Sequence, residues 1–340
     1  MKIVDKIKKI PYRFNRQPFH EDNSCIVNLS LVTEKENYFS YMTDGERESL
    51  RKNIKFDEAS NEKVIAHTYW YGEIGRKQAF SIISYLATQD LAKTEVWLWL
   101  DEESGYEGYK ENKYLKELLP FIKVKCYNPL KELKGTRHFQ TNIFTTKFNL
   151  AYRADGFRIL ILYKYGGLYF DMDVCFLDDV LQVCGSEWCY AWEKQAYANN
   201  ALLYFHNGKE SKLMSYLFWK AQRKAPMPWA ILHYTDKRLR NLTVYPYQLF
   251  DPAWLDEKAE ATDKYFDSFF EPIKENDGEM KTVNSYKEFY PGALAYHWHN
   301  RWEAPEYDNS YFGMFEKEFK EILQEKGRWR GLEYKCNVKQ

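Results

Sequence analysis

With 340 residues and 49 basic side chains balanced by 49 acidic ones, the chain has room for one large domain or two ordinary ones, and no net field draws it to nucleic acid. No run of 18 apolar residues occurs and the N-terminus lacks a signal peptide's apolar core, so a soluble, cytoplasmic protein of a reducing compartment is expected. The cysteines at 25, 126, 175, 184, 189 and 336 form no C-x-x-C pair, which argues against a zinc site or a disulfide framework. Aromatic residues reach 18%, and such flat amphipathic rings suit sugar and base faces as well as a core.

In chain order, the first sixteen residues carry six Lys or Arg against one acid, with Ile3, Val4, Ile7 and Ile10 at helical spacing. They read either as a solvated helix or as one that touches anionic lipid through residues 2–16, which would place the protein at the inner membrane face. Residues 1–62 are polar and turn-rich and are taken as an N-terminal extension or helical cap. From 63 the character changes. VIAHTYWYG is a β-branched and aromatic run closed by Gly72, the profile of a buried strand. A helix is predicted from Arg76 to Asp90, a strand over 95–101, a charged helical segment near 111–119 and a strand over 121–128. Strand and helix alternating at this interval predict βαβ units, a largely parallel sheet covered by helices, and ligands at the carboxyl ends of the strands. His67, Trp70, Asp101 and Asn128 are expected at those ends.

Residues 129–150 read as polar loop. Next comes GFRILILYKYGGLYFDMDVCFLDDV (156–180), which carries a helix apolar on most of its surface and a Gly166-Gly167 stop. A short strand then delivers Asp171 and Asp173, which the period of two would point to the same side. Strands are predicted over 188–194 and 201–207 and a helix over 210–223. A mixed, proline-broken region covers 224–290, a strand runs into a loop over 293–302, and a helix spans Tyr311 to Glu325. The division expected is an extension (1–62), a main domain (63–302, in two halves, 63–185 and 186–302) and a helical tail (303–340).

Two carboxylates inside an apolar stretch are costly without a cation. Hard oxygen ligands suit Mg²⁺ or Mn²⁺, which share a substrate's phosphates and neutralise a diphosphate leaving group. A structural calcium site helped by Asp178 and Asp179 is the alternative. Asp155 and Arg158 lie three apart on the preceding helix and so face the same neighbourhood; they read as an intrahelical ion pair or as a cradle for sugar hydroxyls and phosphate. Asn199, Asn200 and Glu193 are candidates for donor or acceptor contact, though Asn-Asn also suits a turn.

The run A-D-x-x-R followed by L-Y-K-Y-G-G-L-Y-F-D-M-D, Ala154 to Asp173, resembles the D-x-D sugar-binding region of glycosyltransferase family 32 and is similar to the glucosyltransferase domain of large clostridial toxins. AHTYWYG (66–72) and AYHWHN (295–300) resemble that family's opening strand and late histidine segment. The resemblance implies a GT-A type fold, Rossmann-like and mostly parallel with helical additions, in which 63–302 is the catalytic domain with a nucleotide-sugar half to 185 and an acceptor half from 186. It also implies a retaining, metal-dependent transfer of a hexose from a nucleotide-diphosphate sugar, with UDP favoured over GDP, to a glycan or lipid-linked glycan acceptor, as in capsule or other surface-polysaccharide synthesis. By the same resemblance Trp70 would stack on the base, and Asp155 and Arg158 would hold the donor sugar. Tyr169 and Asp171 would sit against ribose and sugar, and Asp173 would bind Mn²⁺ or Mg²⁺. His297 would be a further metal or diphosphate contact, with Asn300 and Trp302 beside it; His299 fits the late segment as loosely as His297. Asp171, Asp173 and Arg158 are the expected catalytic set. The late segment departs from the family in detail, and Ala154 stands where the family commonly has Ser. A sugar-nucleotide hydrolase and a non-catalytic glycan-binding protein are the other readings of these residues.

Overall fold

A computed structural model describes residues 63–146, 149–192, 195–255, 263–273, 283–290 and 292–329. The basic N-terminal segment, the extension to 62, Glu193 and the last eleven residues lie outside the described residues. The elements are β1 (Val64–Trp70), α1 (Arg76–Thr88), β2 (Thr94–Asp101), β3 (Ile122–Tyr127), α2 (Pro129–Leu133), α3 (Asn142–Thr145), α4 (Leu150–Tyr165), β4 (Gly167–Phe170), β5 (Val174–Phe176), β6 (Trp188–Ala191), β7 (Ala198–Phe205), α5 (Lys212–Lys224), α6 (Pro228–Ile231), β8 (Thr243–Tyr245), β9 (Ala295–His297) and α7 (Tyr311–Glu325).

The expected α/β sheet forms, in the order β3-β2-β1-β4-β7-β6-β8. Strands β3, β2, β1 and β4 are parallel, β7 runs antiparallel to both β4 and β6, and β8 is parallel to β6. Because helices cover both faces, its strands are apolar on both sides. Ala66, Val96, Leu98, Leu100, Leu168 and Phe170 face a core shared with α1 and α7. Tyr69, Trp99, Tyr169, Leu203 and Phe205 alternate with them and face α4 and α5. Arg76 fastens α7 to α1 through Glu316 at 2.8 Å and Asp308 at 2.6 Å.

A second, two-stranded sheet fixes the site. In it β5 pairs antiparallel with β9, Val174 opposite His297, so the residue before β5 meets the residues after β9. Two serines of α1 hold β5 in place. Ser81 Oγ donates to the Val174 carbonyl at 2.7 Å, and the Phe176 N–H donates to Ser84 Oγ at 3.0 Å.

The Gly166-Gly167 stop has two separate reasons. Gly166 closes α4 with φ +67°, its N–H on the Leu162 carbonyl at 2.9 Å. Gly167, at φ +100°, lets β4 come alongside β1, and a Cβ there would stand 2.2 Å from the Ile65 carbonyl oxygen. Gly167→Ala is therefore expected to destabilise the fold by about 3 kcal/mol, measurable by urea denaturation.

Several sequence expectations are corrected. The segment 111–119 is not a helix: two short 3-10 turns flank bends in which Asn112 Oδ1 accepts from the Tyr114 and Leu115 N–H groups, and Pro120 follows. The predicted loop over 129–150 contains α2 and α3 and ends at Asn149, whose side chain caps α4. Asn199 and Asn200 are not a turn but lie inside β7. Asn128 caps α2, accepting from the Lys131 N–H at 3.0 Å. His67 belongs to no ligand end: it is fully buried, its Nδ1 accepts from Trp99 Nε1 at 3.1 Å, and its Nε2 donates to the Gly166 carbonyl at 2.9 Å. Burial pushes its pKa down to about 3, so it is a neutral strut between β1 and the glycine turn.

Candidate active site

At the carboxyl end of β4 the chain does not run on as a strand through Asp173. The Val174 N–H turns back to the Asp171 carbonyl, and the two carboxylates reach one site through this turn, not through strand alternation. Asp171 faces α4, where Arg158 contacts it at 3.0 Å and the Tyr169 hydroxyl donates to it. Asp173 faces the segment after β9. Its Oδ2 accepts the Asn300 N–H at 2.8 Å and stands 3.2 Å from His297 Nε2.

Arg158 is the hub of the α4 side. Its Nη1 donates to the Asn200 carbonyl at 2.6 Å, its Nη2 lies 3.5 Å from Asp155, and its guanidinium covers the Tyr169 ring. Asn200 returns the contact, Nδ2 donating to Asp155 at 2.7 Å. Asp155, Arg158, Asn200, Tyr169 and Asp171 thus form one braced group, with Tyr169 enclosed at 1% exposure and acting on Asp171 through its hydroxyl.

On the other side, His297 and not His299 faces Asp173. The two imidazoles stack 4.0 Å apart over Asp251, which is fully buried. Asp251 accepts from Trp254 Nε1 at 2.9 Å and meets His299 Nε2 at 2.8 Å and His297 Nδ1 at 3.8 Å. Donor atoms of Asp251, His297 and His299 lie within 4.8 Å of one another. Burial works against charge on His297, yet Asp173 and Asp251 on its two sides raise it to about 10. Burial likewise opposes the Asp173 carboxylate, which the imidazole and the Asn300 N–H nevertheless hold below the usual range.

His299 and Asn300 adopt left-handed φ of +51° and +58°, a conformation that costs non-glycine residues and here turns the chain so that the Asn300 N–H reaches Asp173. Beyond them, Trp302 donates from Nε1 to the Asn300 side-chain oxygen at 3.2 Å and lies 4.7 Å from the Trp70 ring, both indoles partly exposed. Lys77, almost wholly buried in α1, holds this loop by donating to the carbonyls of Arg301 at 2.6 Å, Trp302 at 3.0 Å and Ala304 at 2.5 Å.

Residues 36–191 match the family model described as the glycosyltransferase sugar-binding region containing DXD motif. The chain carries a glycosyltransferase's sugar-binding region. The D-x-D is Asp171-Met172-Asp173, in the region that resembles family 32, at the carboxyl edge of a mostly parallel α/β sheet. A search of curated proteins finds no match. Among solved structures, the chain is similar to PaToxG glycosyltransferase (17% identity, 66% of this chain and 87% of that one, TM-score 0.37). It is also similar to the glycosyltransferase GlyE of Streptococcus pneumoniae (13% identity, 79% and 65%, TM-score 0.43) and to the galactosyltransferase LgtC in complex with donor and acceptor sugar analogs (12% identity, 77% and 95%, TM-score 0.36). At these values the likenesses add no weight to the assignment, which rests on the matched region.

Three residues of the site region escape a sequence reading. Asp251 follows the run YQLF in a stretch with no periodicity, and Lys77 shares its helix face with Ser81 and Ser84, which do not mark it out. Arg153 lies two residues before Asp155 yet serves a different partner. Its guanidinium makes a two-pronged contact with Asp101 at 2.8 and 3.0 Å, both side chains are buried, and Tyr69 joins them from β1. This pair fixes the first half of α4 to the end of β2. A cavity of about 590 Å³ between α1, α7 and the 286–293 segment shares no residue with the site.

Asp155 carries a pH signature. Burial raises its carboxyl to about 6 against the offsetting pull of Arg158 and Asn200. A carboxyl with a raised folded pKa favours the native state while protonated, so this contribution is present in full below the unfolded pKa near 3.8 and is lost as pH rises through 6. The stability difference between wild type and Asp155→Asn is accordingly expected to change by about 2 kcal/mol, in favour of the variant, between about pH 4 and pH 8. Urea denaturation of both proteins across that range checks this.

Proposed function

We propose that the protein transfers a hexose from a nucleotide-diphosphate sugar, with UDP favoured, to a glycan acceptor with retention of configuration and with the help of a divalent cation. The observation that carries this reading is the convergence of Arg158, Asp155 and Asp171 from one side and Asp173 and His297 from the other on a single turn.

The donor set fits Mn²⁺ or Mg²⁺. Two ligand atoms about 2.1 Å from one ion at a right angle stand about 3 Å apart, close to the separation of Asp173 Oδ2 and His297 Nε2. Two carboxylate groups and an imidazole are the hard and borderline donors such ions take. Asp173 and Asp171 would hold the ion, and His297 would join them only after giving up the proton that Asp173 and Asp251 stabilise on it. Asn300 contributes its N–H to Asp173, while its side-chain oxygen is engaged by Trp302. When bound, the cation would neutralise the diphosphate as it departs.

The chain's own residues supply the rest. Arg158 is a permanent positive charge in a dry site, aimed where the leaving oxygen gathers charge. Asp155 and Asp171, each braced by donors, accept hydrogen bonds from sugar hydroxyls. Trp70 and Trp302 offer indole faces for the base. Each carboxylate of the group is engaged by a donor, Asp171 by Arg158, Asp155 by Asn200 and Asp173 by the Asn300 N–H, so none stands out as a nucleophile, which favours front-face substitution. The acceptor oxygen bonds to the anomeric carbon as the bond to the diphosphate oxygen breaks, and the acceptor proton passes to the departing phosphate. No helix among the described residues is long and apolar enough to cross a membrane, and a role in surface-polysaccharide assembly follows from the resemblance alone.

A thermal-shift panel of UDP- and GDP-sugars with and without Mn²⁺ tests the reading. At least one sugar nucleotide should raise the melting temperature, and more strongly with the ion, because a ligand that binds only the native state stabilises it. If no donor shifts the transition in either condition, the proposal is wrong. A glycan-binding protein without a donor site would give that result.

A further inference from the structure

A groove of about 360 Å³ opens beside the N-terminal end of α4, a size within the range of small-molecule clefts. Its polar lining consists of the amides of Gln140, Asn142 and Asn149 and the hydroxyls of Thr146 and Tyr152, with Met227 at its apolar side. None of these side chains carries a charge.

Two of these amides are available, while Asn149 caps α4. Gln140 and Asn142 are exposed, and neither side chain bonds to a protein group among the described residues. Exposed apolar side chains adjoin the lining in the chain: Phe139 before Gln140, Leu150 after Asn149 and Trp229 two after Met227, at 56%, 50% and 52% exposure. Amides that donate and accept at once, with apolar surface beside them, match a sugar's alternation of hydroxyls and C–H faces. A phosphate or carboxylate ligand would call for cations, and none is among the described residues that line the groove, Arg223 lying over the Phe139 and Trp219 rings.

The groove joins the transfer site through Tyr152, one helical turn before Asp155 on the same face of α4. The two groups sense each other, since burial and the Asp155 carboxylate together raise the Tyr152 phenol above its usual range.

We infer that this groove is the acceptor subsite and that it takes a neutral saccharide, presented to the donor sugar at Asp155. The inference rests on the transferase reading above for its role, but the binding it asserts does not. It also moves acceptor recognition from the 186–302 half, which contributes Met227, largely to Gln140, Asn142, Thr146, Asn149 and Tyr152.

The test is saturation-transfer NMR on the full chain without donor or metal, with lactose, maltotriose and chitotriose as neutral probes and 3′-sialyllactose as the anionic one. At least one neutral probe should bind and out-compete the anionic one. The Gln140→Ala/Asn142→Ala double variant should raise its Kd roughly tenfold, two hydrogen bonds being lost. Trp229→Ala should weaken it as well, and Asp173→Ala should bind the saccharide as wild type does. Absence of neutral-probe binding, equal binding by the double variant, or preference for the anionic probe each overturns the inference. Groove-dependent binding together with an Asp173→Ala protein that still transfers sugar would sink the metal-dependent reading while leaving the groove assignment standing.

Discussion

Asp173→Ala is expected to lower sugar transfer by about 10³-fold while leaving the fold in place, since charge stabilisation at the leaving group is the largest contribution a site of this kind makes. Asp173 is the carboxylate that both halves of the site converge on, through His297 at 3.2 Å and the Asn300 N–H at 2.8 Å. Its loss removes a cation ligand and releases the left-handed turn at His299 and Asn300 that leads to Trp302. The fold should survive because β5 remains held by Ser81 and Ser84, and because His297 keeps Asp251 beside it. Initial rates with and without EDTA, together with circular dichroism, make the measurement. Transfer by the variant within about tenfold of wild type, or wild-type transfer indifferent to EDTA, would show that the reaction does not run through this carboxylate and its ion.

Arg153→Met is expected to cost about 3–5 kcal/mol of stability, because it leaves Asp101 buried and uncompensated. Arg153 and Asp101 are 1% and 0% exposed, so water cannot replace the lost partner. Asp101→Asn combined with Arg153→Met should recover part of the loss, since both charges are then gone. Urea denaturation of the two single variants and the double variant gives the coupling directly. Additive effects would mean that the pair is not the unit the structure shows. Donor affinity should fall along with stability in Arg153→Met, because the same helix carries Asp155 and Arg158 further along.

Much of this was readable from the chain. The apolar runs at 64–70, 95–101 and 122–127 are strands because a parallel sheet covered on both faces must be apolar on both. The boundaries of α7 at Tyr311 and Glu325 follow the helical period directly. The Gly166-Gly167 stop was visible as a turn, but its second glycine answers to the Ile65 carbonyl on a strand from the opening of the fold. Segment 111–119 misled because charged residues satisfy a helical pattern that Asn112 overrides with local side-chain bonds. His67 misled because a histidine in an apolar strand has the same letters whether it binds a ligand or, as here, braces a glycine turn.

Local patterns mark out the pieces: which runs form strands, where α4 ends, and that an Asp-x-x-Arg helix leads into two aspartates. Those follow from periodicity and turn chemistry, which act over a few residues. Only the tertiary structure decided how Asp173 meets His297, which histidine turns inward, and that Asp251, Lys77 and Arg153 support the site from afar. Those depend on the β5–β9 pairing and on buried charges finding partners 48 to 224 residues distant, which no local pattern records.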